Sequence, residues 1–414
     1  MNKEQDIIVI GAGIVGISIA KALQRSGRTV TLLDSKGMAL EASKSNAGAF
    51  AFADIVPLAT PGIMRHAPKW LIDPLGPLSI PPAYALPILP WMMRFWRASW
   101  NDRYEASLHA QAQLMNLSQA ALERQIKWVK GESLMQREGQ LQLYEGAKEF
   151  NASLPIWKTR ADHAIEFTLL ESAAAIAAIQ PGLHSRFTHA GYTPQWLNTC
   201  DPKKWALQIA DHFIASGGHF KLAQVEALSQ AKDCVRLTTK DGEITSKQVV
   251  VACGAWSHQL AKTLGDYLPL ETERGYNTSL PAGAFDLKTH LTFGGHGFVI
   301  TKIAGGIRVG GAVELGGLKL APNYKRADIL LNKAVQFLPQ LNTSGGQQWM
   351  GFRPSMPDSL PVIGRASKAP NVFYAFGHGH LGLTQAAATA ELVTNLANGI
   401  KNTMSLDAFS PNRF

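Results

Sequence analysis

Two glycine-rich stretches and one arginine motif contain residue types whose spacing is suited to chemistry. The first stretch is Gly11-Ala12-Gly13-Ile14-Val15-Gly16, a G-x-G-x-x-G pattern between an apolar run and an amphipathic one. Its glycines permit a tight turn and the close approach of a pyrophosphate to a helix N-terminus. Asp34 follows Gly11 at a separation close to the ~20 residues at which a carboxylate binds the adenosine ribose hydroxyls. The pattern predicts a dinucleotide site.

The second stretch is "GHGHLGLTQA", residues 377–386. His378 and His380 have the spacing of a metal-ligand pair, whereas glycines ahead of a helix can bind an anion through backbone amides. Neither histidine has a carboxylate or a cysteine close to it in sequence. We therefore favour the backbone amides and expect no metal site.

Two further segments are suited to a bound ligand. "EASKSNAGAF" (41–50) contains Ser43, Ser45, Asn46 and Gly48, small residues that can wrap a ligand longer than an adenosine half. "VVVACGAWS" (249–257) is an apolar strand that ends in glycine and can lie against a cofactor. On residue types alone, NAD and FAD both fit this set.

The elements that position these residues follow from the periodicity. "DIIVI" (6–10), the amphipathic stretch after it and "TVTLL" (29–33) predict a β-α-β unit. Long amphipathic stretches at 105–131 and 202–218 predict helices, the second capped by Asp201. A hairpin with a Gly-Gly turn is predicted at 297–314. The chain thus begins and ends as doubly wound α/β, with sheet-rich material between.

The composition excludes several classes of protein. With 414 residues, 46% hydrophobic and 17% charged, the chain predicts two globular domains and not a disordered protein. Three cysteines without a C-x-x-C pair exclude a disulfide scaffold and a thiolate zinc site, and they fit a reducing compartment. The net charge of +9 indicates a basic surface or an acidic partner. The sequence has no cluster of Lys and Arg interleaved with aromatic residues, so nucleic-acid binding is not expected.

The location predicted from the sequence is cytoplasmic, because we find no signal peptide and no apolar run of roughly 18 residues. The segment from Trp70 to Trp100 has two interpretations. Its prolines exclude one continuous helix. Residues 91–100 combine Trp and Met with Arg94 and Arg97, which is typical either of a buried lid or of a peripheral contact with the inner face of the cell membrane. The prolines of the segment are Pro74, Pro77, Pro81, Pro82, Pro87 and Pro90.

These motifs, together with "GFRPSMPDSLPVIG" (351–364), occur in an order and at separations that resemble the D-amino-acid oxidase superfamily of FAD-dependent amine oxidoreductases. The resemblance is greatest to the small-subunit-type D-amino-acid dehydrogenases. It covers essentially the whole chain, although 57–130 match only in general character. It implies a Rossmann-like FAD-binding domain of the glutathione-reductase type, interrupted by an α+β substrate domain with an antiparallel sheet. The implied bounds are 1–56, 165–268 and 350–414 for the first domain, and 57–164 and 269–349 for the second.

The resemblance also implies roles for individual residues. Arg353, in "GFRP", would pair with the substrate carboxylate through its planar guanidinium, and Tyr276 would line the substrate pocket. FAD would be bound non-covalently, since no cysteine lies where covalent members of the superfamily attach it. The family turn often continues with small residues and an aromatic, where this chain has His380 and Leu381–Leu383. The implied cofactor contacts are Gly11, Gly13, Ile14, Val15, Gly16, Asp34, Ser35, Ser43, Ser45, Asn46, Ala47, Gly48, Val225, Ala252, Gly254, Gly377, His378, Gly379, His380, Leu381, Gly382, Leu383 and Thr384.

The implied activity is oxidative deamination of D-amino acids, with D-proline or hydroxyproline isomers among the candidates. A hydride passes from Cα to flavin N5, and the electrons pass on to a quinone or another electron carrier. One alternative is an oxidase that uses oxygen and acts on D-amino acids, glycine or sarcosine. An alternative of another class is a non-catalytic FAD-binding subunit that relays electrons.

Overall fold

A computed structural model of the chain describes residues 5–73, 75–76 and 78–414. Residues 1–4 of the first predicted domain, and Pro74 and Pro77 of the proline-rich segment, lie outside the described residues. The helices are α1 (Ile14–Arg25), α2 (Ala67–Ile72), α3 (Ala85–Ala98), α4 (Asn101–Trp128), α5 (Ala147–Asp162), α6 (Ala173–Ile179), α7 (Pro202–Ala215), α8 (Ser257–Thr263), α9 (Lys325–Phe337) and α10 (Gly382–Ala397).

The strands are β1 (Gln5–Ile10), β2 (Val30–Asp34), β3 (Ala49–Phe50), β4 (Leu78–Ser79), β5 (Met135–Gln136), β6 (Gln140–Tyr144), β7 (Thr168–Leu170), β8 (His189–Thr193), β9 (Leu197–Thr199), β10 (His219–Leu222), β11 (Val225–Gln230), β12 (Val235–Thr239), β13 (Gly242–Val251), β14 (Glu271–Pro281), β15 (His290–Phe293), β16 (Phe298–Ile303), β17 (Gly306–Leu315), β18 (Gln347–Ser355), β19 (Val362–Arg365) and β20 (Val372–Phe376).

The first sheet is built on the predicted β-α-β unit. Its parallel part has the order β10-β2-β1-β13-β20, and β12 and β11 continue from β13 as an antiparallel extension. Residues 7–10 of β1 are buried and apolar, because helices and strands cover both faces of this strand. Helix α1 packs against α7 and α10. This is the doubly wound arrangement that the sequence predicts at both ends of the chain.

The second sheet has the order β18-β14-β17-β16-β15-β6-β8-β7, and it is antiparallel except where β15 runs parallel to β6. Successive side chains of its strands point to opposite faces of the sheet. One face packs an apolar core against α9, and the other face carries polar and glycine residues. The short strand β4 pairs with β17 outside this order. The predicted fold class, an FAD-type α/β domain with a second domain built on a mainly antiparallel sheet, is confirmed.

The prediction that no continuous helix spans 70–100 is confirmed for the described residues. The segment is broken, but Pro87 and Pro90 lie inside α3. Pro87 is in the first helical turn, where the missing amide hydrogen has no intrahelical partner to lose. Pro90 leaves the carbonyl of Leu86 without its helical donor, and Leu86 is exposed to water.

Several local predictions are confirmed. Asp201 caps α7, and its carboxylate accepts from the amides of Lys203 and Lys204. The predicted long helix is α4, and the predicted hairpin is β16–β17. The domain bounds remain a prediction, and the strand pairing differs from the predicted bounds in one place. Strands β7 and β8 lie in the second sheet because they pair with β6, although the predicted bounds assign 165–268 to the first domain.

Candidate active site

A cavity of about 1080 Å³ lies between the carboxyl ends of the first sheet and the polar face of the second. Ile10, at the end of β1, and Asp34, at the end of β2, both line it. In open α/β sheets, ligands bind outside the carboxyl ends of the strands. The cavity is therefore where a bound dinucleotide is expected.

The G-x-G-x-x-G turn is too tight for any residue other than glycine at two of its positions. Gly11 has a φ of +103°, and a Cβ added there would lie 2.4 Å from the carbonyl oxygen of Ala252. A Cβ on Gly16 would lie 1.8 Å from the carbonyl oxygen of Gly11. Gly13 is the N-cap of α1 and supplies no side-chain cap. The N-terminus of α1 thus faces the cavity and can bind a phosphate.

Asp34 both lines the cavity and anchors the turn. Its Oδ2 accepts from the Ala12 amide at 2.8 Å, and its Oδ1 accepts from the Lys36 and Gly37 amides at 2.8 and 3.0 Å. A carboxylate oxygen has about two lone-pair sites, so Oδ2, which accepts one hydrogen bond, retains capacity for a ribose hydroxyl. Ser35 lines the cavity beside it, where sequence reasoning placed it.

The loop at 43–48 is held between the two sheets. The Ser43 hydroxyl accepts from the Ile14 amide at 2.9 Å, which joins this loop to the first turn of α1. From the second sheet, Asn277 Nδ2 donates to the Ser45 carbonyl at 2.8 Å, and Arg308 donates to the Asn46 carbonyl. The loop is thus positioned from both sides, and its residues 43, 45, 46 and 47 line the cavity.

The histidines of "GHGHLGLTQA" have different environments. His378 is 3% exposed, and its Nε2 lies 3.0 Å from the Thr389 hydroxyl of α10. Burial lowers the pKa of His378 to about 3, so the ring is neutral. His380 lines the cavity. Within residues 5–73, 75–76 and 78–414, no group of three or more His, Cys, Asp or Glu residues is placed to hold a metal ion.

Arg353 lies on β18 and lines the cavity from the second sheet. Its side chain is half-buried, and Nη1 donates to the Ala312 carbonyl at 3.1 Å. Burial lowers its pKa, and the charge of Glu273, its neighbour across the strand pair, opposes this. Glu273 itself accepts a hydrogen bond from Ser355 at 2.6 Å. A half-buried guanidinium with one backbone partner among the described residues is suited to pairing with the carboxylate of a ligand.

Tyr276 is among the cavity-lining residues, but its hydroxyl points to other partners. It donates to Glu314 Oε2 at 2.6 Å and accepts from the Asn323 amide at 3.0 Å. Neither Glu314 nor Asn323 lines the cavity. The prediction that this phenol lines the substrate pocket therefore needs a correction, since its polar atom lies among core groups behind the sheet.

Five of the predicted cofactor residues do not line the cavity, and their positions explain why. Thr384 accepts from the Ala51 amide at 3.0 Å, and Leu381 packs in an apolar cluster with Ala51 and Trp196. The other three are glycines in tight turns or close packing, which shape the backbone instead of contacting a ligand. The five are Gly16, Gly48, Gly377, Leu381 and Thr384. The remaining predicted cofactor residues, including Val225, Ala252 and Gly254, all line the cavity.

Sequence reasoning missed most of the wall that the second sheet contributes. Its members occupy alternate positions on neighbouring strands, which is a signal that can be found only once the strands are paired. Polar and aromatic members of this wall are Gln140, Gln142, His290, Thr292, Thr301, Arg308, Asn277, Glu273 and Trp349.

Glycines on the second sheet leave room for Arg353 to lie flat. A Cβ added to Gly275 would lie 2.2 Å from Arg353 Nη2 and 2.3 Å from its Cζ. The strand pairing places Gly275 opposite Gly351, so the guanidinium occupies space that any other residue would fill. Gly275 is thus a positioning residue for Arg353.

We expect Gly275→Ala to displace the Arg353 guanidinium. A substrate that pairs with this guanidinium through a carboxylate should then show a KM raised by about 10- to 100-fold, which corresponds to about 1.5–3 kcal/mol for a hydrogen bond to a charged group. Steady-state kinetics and flavin content measure this. Gly316→Ala is the matched control, because its Cβ would meet the nearest atoms at 3.4 Å, an ordinary contact. Equal KM values for the two variants would contradict the positioning role.

Comparison with known proteins places the chain in one family. The family described as "FAD dependent oxidoreductase" (DAO) matches residues 6–396. The D-amino-acid oxidase of Bradyrhizobium diazoefficiens is 34% identical over 423 residues, covering 100% of both chains. The D-amino acid dehydrogenase of Rhizobium rhizogenes is 30% identical, covering 95% of this chain and 96% of the relative. The chain belongs to the DAO family, and it is an FAD-dependent oxidoreductase.

Solved structures support the fold. Glycine oxidase from Geobacillus kaustophilus superposes with a TM-score of 0.78 at 18% identity, covering 100% of both chains. L-proline dehydrogenase from P. horikoshii gives 0.77 at 18% identity, covering 100% of this chain and 98% of that one. At these identities the likeness concerns the fold alone.

The residues of the cavity fit FAD. Gly11 and Gly13 leave the approach to the α1 N-terminus free of side chains, as a pyrophosphate requires. The volume of about 1080 Å³ extends from this turn past the 43–48 loop to Arg353, and so it has room for a dinucleotide and a small substrate. The cavity wall also contains buried polar atoms without a protein partner, among them Asn277 Oδ1. Such atoms are typical of a ligand site.

Proposed function

We propose that the protein is a D-amino-acid dehydrogenase that oxidatively deaminates its substrate. One observation carries this proposal: the half-buried Arg353 guanidinium lines the cavity beside the turn at 377–383. Ser355, two positions after Arg353, forms a β-bridge with His378 of that turn. A substrate whose carboxylate pairs with Arg353 is therefore held close to the backbone that would bind the flavin ring.

The chain's residues divide between the two halves of FAD. The turn at 11–16, Asp34, Ser35 and Val225 would hold the ADP half. Ser43 to Ala47, Gly254 and the turn at 378–383 would hold the rest. We propose non-covalent binding. Cys253 lines the cavity, but burial raises the pKa of its thiol to about 12, so it is not a nucleophilic thiolate.

Bound FAD would supply the hydride acceptor for the Cα–H bond of the substrate. The chain supplies orientation, because a two-point grip on the carboxylate fixes the direction of that bond. Neutral His378 and the N-terminal end of α10 would favour negative charge at the nearby edge of the ring. No acid-base pair is required, since a neutral amine loses hydride directly and the resulting imine hydrolyses in water.

Two activities within this class compete, because one relative is named an oxidase and another a dehydrogenase. We propose electron transfer to a quinone or another carrier, with oxygen as the alternative acceptor. The test is a panel of D- and L-amino acids, including D-proline and hydroxyproline isomers, mixed anaerobically with the holoenzyme and then assayed with oxygen or a redox dye. Reduction of the flavin by D-isomers supports the proposal, and a flavin that no amino acid bleaches overturns it.

The outer face of α3 supports a peripheral membrane contact. Trp91, Met92 and Phe95 face inwards and pack in an apolar cluster against Leu315, so part of 70–100 is buried as the lid interpretation requires. The opposite face carries apolar side chains that are 48–82% exposed. Leu86, Leu89, Met93 and Trp96 have the spacing of one helical stripe. Trp100 follows the helix, and its ring contacts that of Trp96.

Exposed Arg94 and Arg103 and the net charge of +9 favour an anionic surface as the partner of this stripe. The cytoplasmic face of a membrane provides one, and a quinone acceptor would be found there. Among the described residues, no helix is both long and apolar enough to cross a bilayer. We therefore propose association at the lipid surface.

We expect the triple variant Leu89→Ser, Met93→Ser and Trp96→Ser to bind vesicles with 30% phosphatidylglycerol at least about 100-fold more weakly than the original chain. Each side chain contributes on the order of 1.5–3 kcal/mol when it is buried in an apolar phase. Vesicle co-sedimentation measures the binding. Tyr267→Ser, which removes a more exposed aromatic elsewhere on the surface, should leave the binding unchanged. A triple variant that binds normally would exclude this face as the contact.

A further inference from the structure

His290 is a buried histidine whose two ring nitrogens have no hydrogen-bond partner among the described residues. It lies at the start of β15, is 2% exposed and lines the cavity. Neither Nδ1 nor Nε2 has a hydrogen-bond partner in the described part of the chain. Leaving buried polar atoms unpaired is unfavourable, so a side chain of this kind at a cavity wall indicates a ligand.

Three neighbours on the cavity wall share this property. Trp196 Nε1, Thr292 Oγ1 and Thr301 Oγ1 are buried atoms without a partner, and the Trp196 ring centroid lies 5.1 Å from that of His290. We call Trp196, His290, Thr292 and Thr301 the polar wall. Some other polar side chains of the cavity are hydrogen-bonded within the protein. Gln142, for example, accepts from Arg160 at 3.0 Å.

The polar wall is suited to a neutral ligand group. Burial lowers the pKa of His290 to about 3, so at neutral pH its imidazole offers one donor and one acceptor. The threonine hydroxyls donate and accept, and the indole of Trp196 donates. A carboxamide or hydroxyl matches this set, because it too combines a donor with an acceptor. No member of the wall carries a charge that would neutralise an ionised ligand group.

The polar wall lies at some distance from Arg353. The Ala312 carbonyl binds Arg353, and the Ala312 amide donates to the Gly297 carbonyl just before β16. Across the sheet, β15 lies two strand spacings, or about 10 Å, from β17. Along β15, His290 lies three residues, or about 10 Å, from Phe293, which pairs with Phe298, the residue after Gly297. The separation of the backbones is therefore on the order of 14 Å. A substrate held by its carboxylate at Arg353 would need a side chain of several bonds to approach the wall.

We propose that the polar wall binds the side chain of the substrate, and that the preferred substrates are D-amino acids with a long, neutral, hydrogen-bonding side chain such as a carboxamide. This inference rests on the proposed function, and it names the substrate class within it. His290 is a specificity-determining residue, since its loss removes both the donor and the acceptor that a carboxamide would use.

The test compares side chains of similar length with and without hydrogen-bonding groups. In the dye-coupled assay, we expect kcat/KM of the holoenzyme for D-glutamine to exceed that for D-methionine by about 10- to 100-fold. In His290→Phe the ratio should fall to about 1, with the value for D-methionine nearly unchanged. Thr193→Val is the matched control, because Thr193 also carries a buried unpaired hydroxyl but does not line the cavity.

A second measurement is independent of turnover. The oxidised holoenzyme is titrated with the two product 2-oxo acids, 2-oxoglutaramate and 4-methylthio-2-oxobutanoate, and binding is followed by the flavin absorbance. His290→Phe should weaken binding of the first by about 10-fold and leave that of the second unchanged. Flavin content is measured for every variant.

The outcomes separate the two proposals. Equal kcat/KM for the two amino acids, or an equal loss for both in His290→Phe, overturns the side-chain site while D-amino-acid oxidation stands. Loss of FAD from His290→Phe also overturns it, because the imidazole then contacts the cofactor. If no D-amino acid of any kind reduces the flavin, the proposed function fails and the substrate class falls with it.

Discussion

Replacing Arg353 by alanine is expected to lower kcat/KM for D-amino acids by about 1000-fold. The guanidinium is half-buried and lines the cavity, and two charge-assisted hydrogen bonds to a carboxylate contribute on the order of 3–6 kcal/mol together. Most of the loss should appear in KM, because the carboxylate contact exists in the ground state as well as in the transition state. Steady-state kinetics with the preferred D-amino acid measures it.

The controls for this variant separate binding from folding. Arg365→Ala removes an exposed arginine of β19 whose guanidinium donates to the Pro370 and Leu396 carbonyls, away from the cavity, and it should leave kcat/KM unchanged. Arg353→Lys should recover only part of the activity, because an ammonium does not form the planar two-point contact. FAD content should match the original chain in all three variants. Unchanged kinetics in Arg353→Ala would remove this residue from the site.

Replacing Gly11 by alanine is expected to abolish retention of FAD. The added Cβ would lie 2.4 Å from the Ala252 carbonyl oxygen, at a φ of +103° that side chains rarely adopt. The turn must therefore open, and the amides at the start of α1 would move away from the pyrophosphate. The ratio of flavin to protein absorbance after gel filtration measures the effect, and thermal unfolding reports the stability.

Gly27→Ala is the matched control for Gly11→Ala. Gly27 also has a positive φ, +91°, and it follows the same helix, but a Cβ there meets nothing within 4 Å. Its substitution should cost about 1 kcal/mol of stability through backbone strain while FAD remains bound. If Gly11→Ala binds FAD as well as Gly27→Ala does, the turn is not the pyrophosphate site.

The sequence predicted the parts of the site that lie within short segments. The turn at 11–16 and Asp34 are recognisable because glycine spacing and strand-helix order are local properties. Arg353 was found because its motif is distinctive. The sheet wall was missed because His290, Thr301 and Gly275 lie on strands whose pairing depends on residues far apart in the chain. The phenol of Tyr276 was placed at the pocket through the family resemblance, which does not tell which face of its strand the side chain occupies in this chain.

The proline-rich segment shows a different limit of prediction. Proline disfavours helix interiors, yet Pro90 lies in α3, whose inner face packs on the second sheet. Tertiary packing of Trp91 and Phe95 outweighs the loss of one hydrogen bond at a water-exposed carbonyl. Propensity thus placed the breaks in the segment but not the helix that forms between them.

The interleaving of the two sheets has a consequence for the order of events during synthesis. Strand β1 pairs with β13, some 240 residues further along the chain, and α1 packs against α10, which is later still. A growing chain that has just emerged from the ribosome therefore exposes the apolar faces of β1 and α1 until their partners have been translated. We expect ribosome-bound chains that end before α10 to be protease-sensitive and to depend on chaperones. Completion of α10, rather than of the glycine turn itself, would then mark the moment at which the nascent protein can first take up FAD.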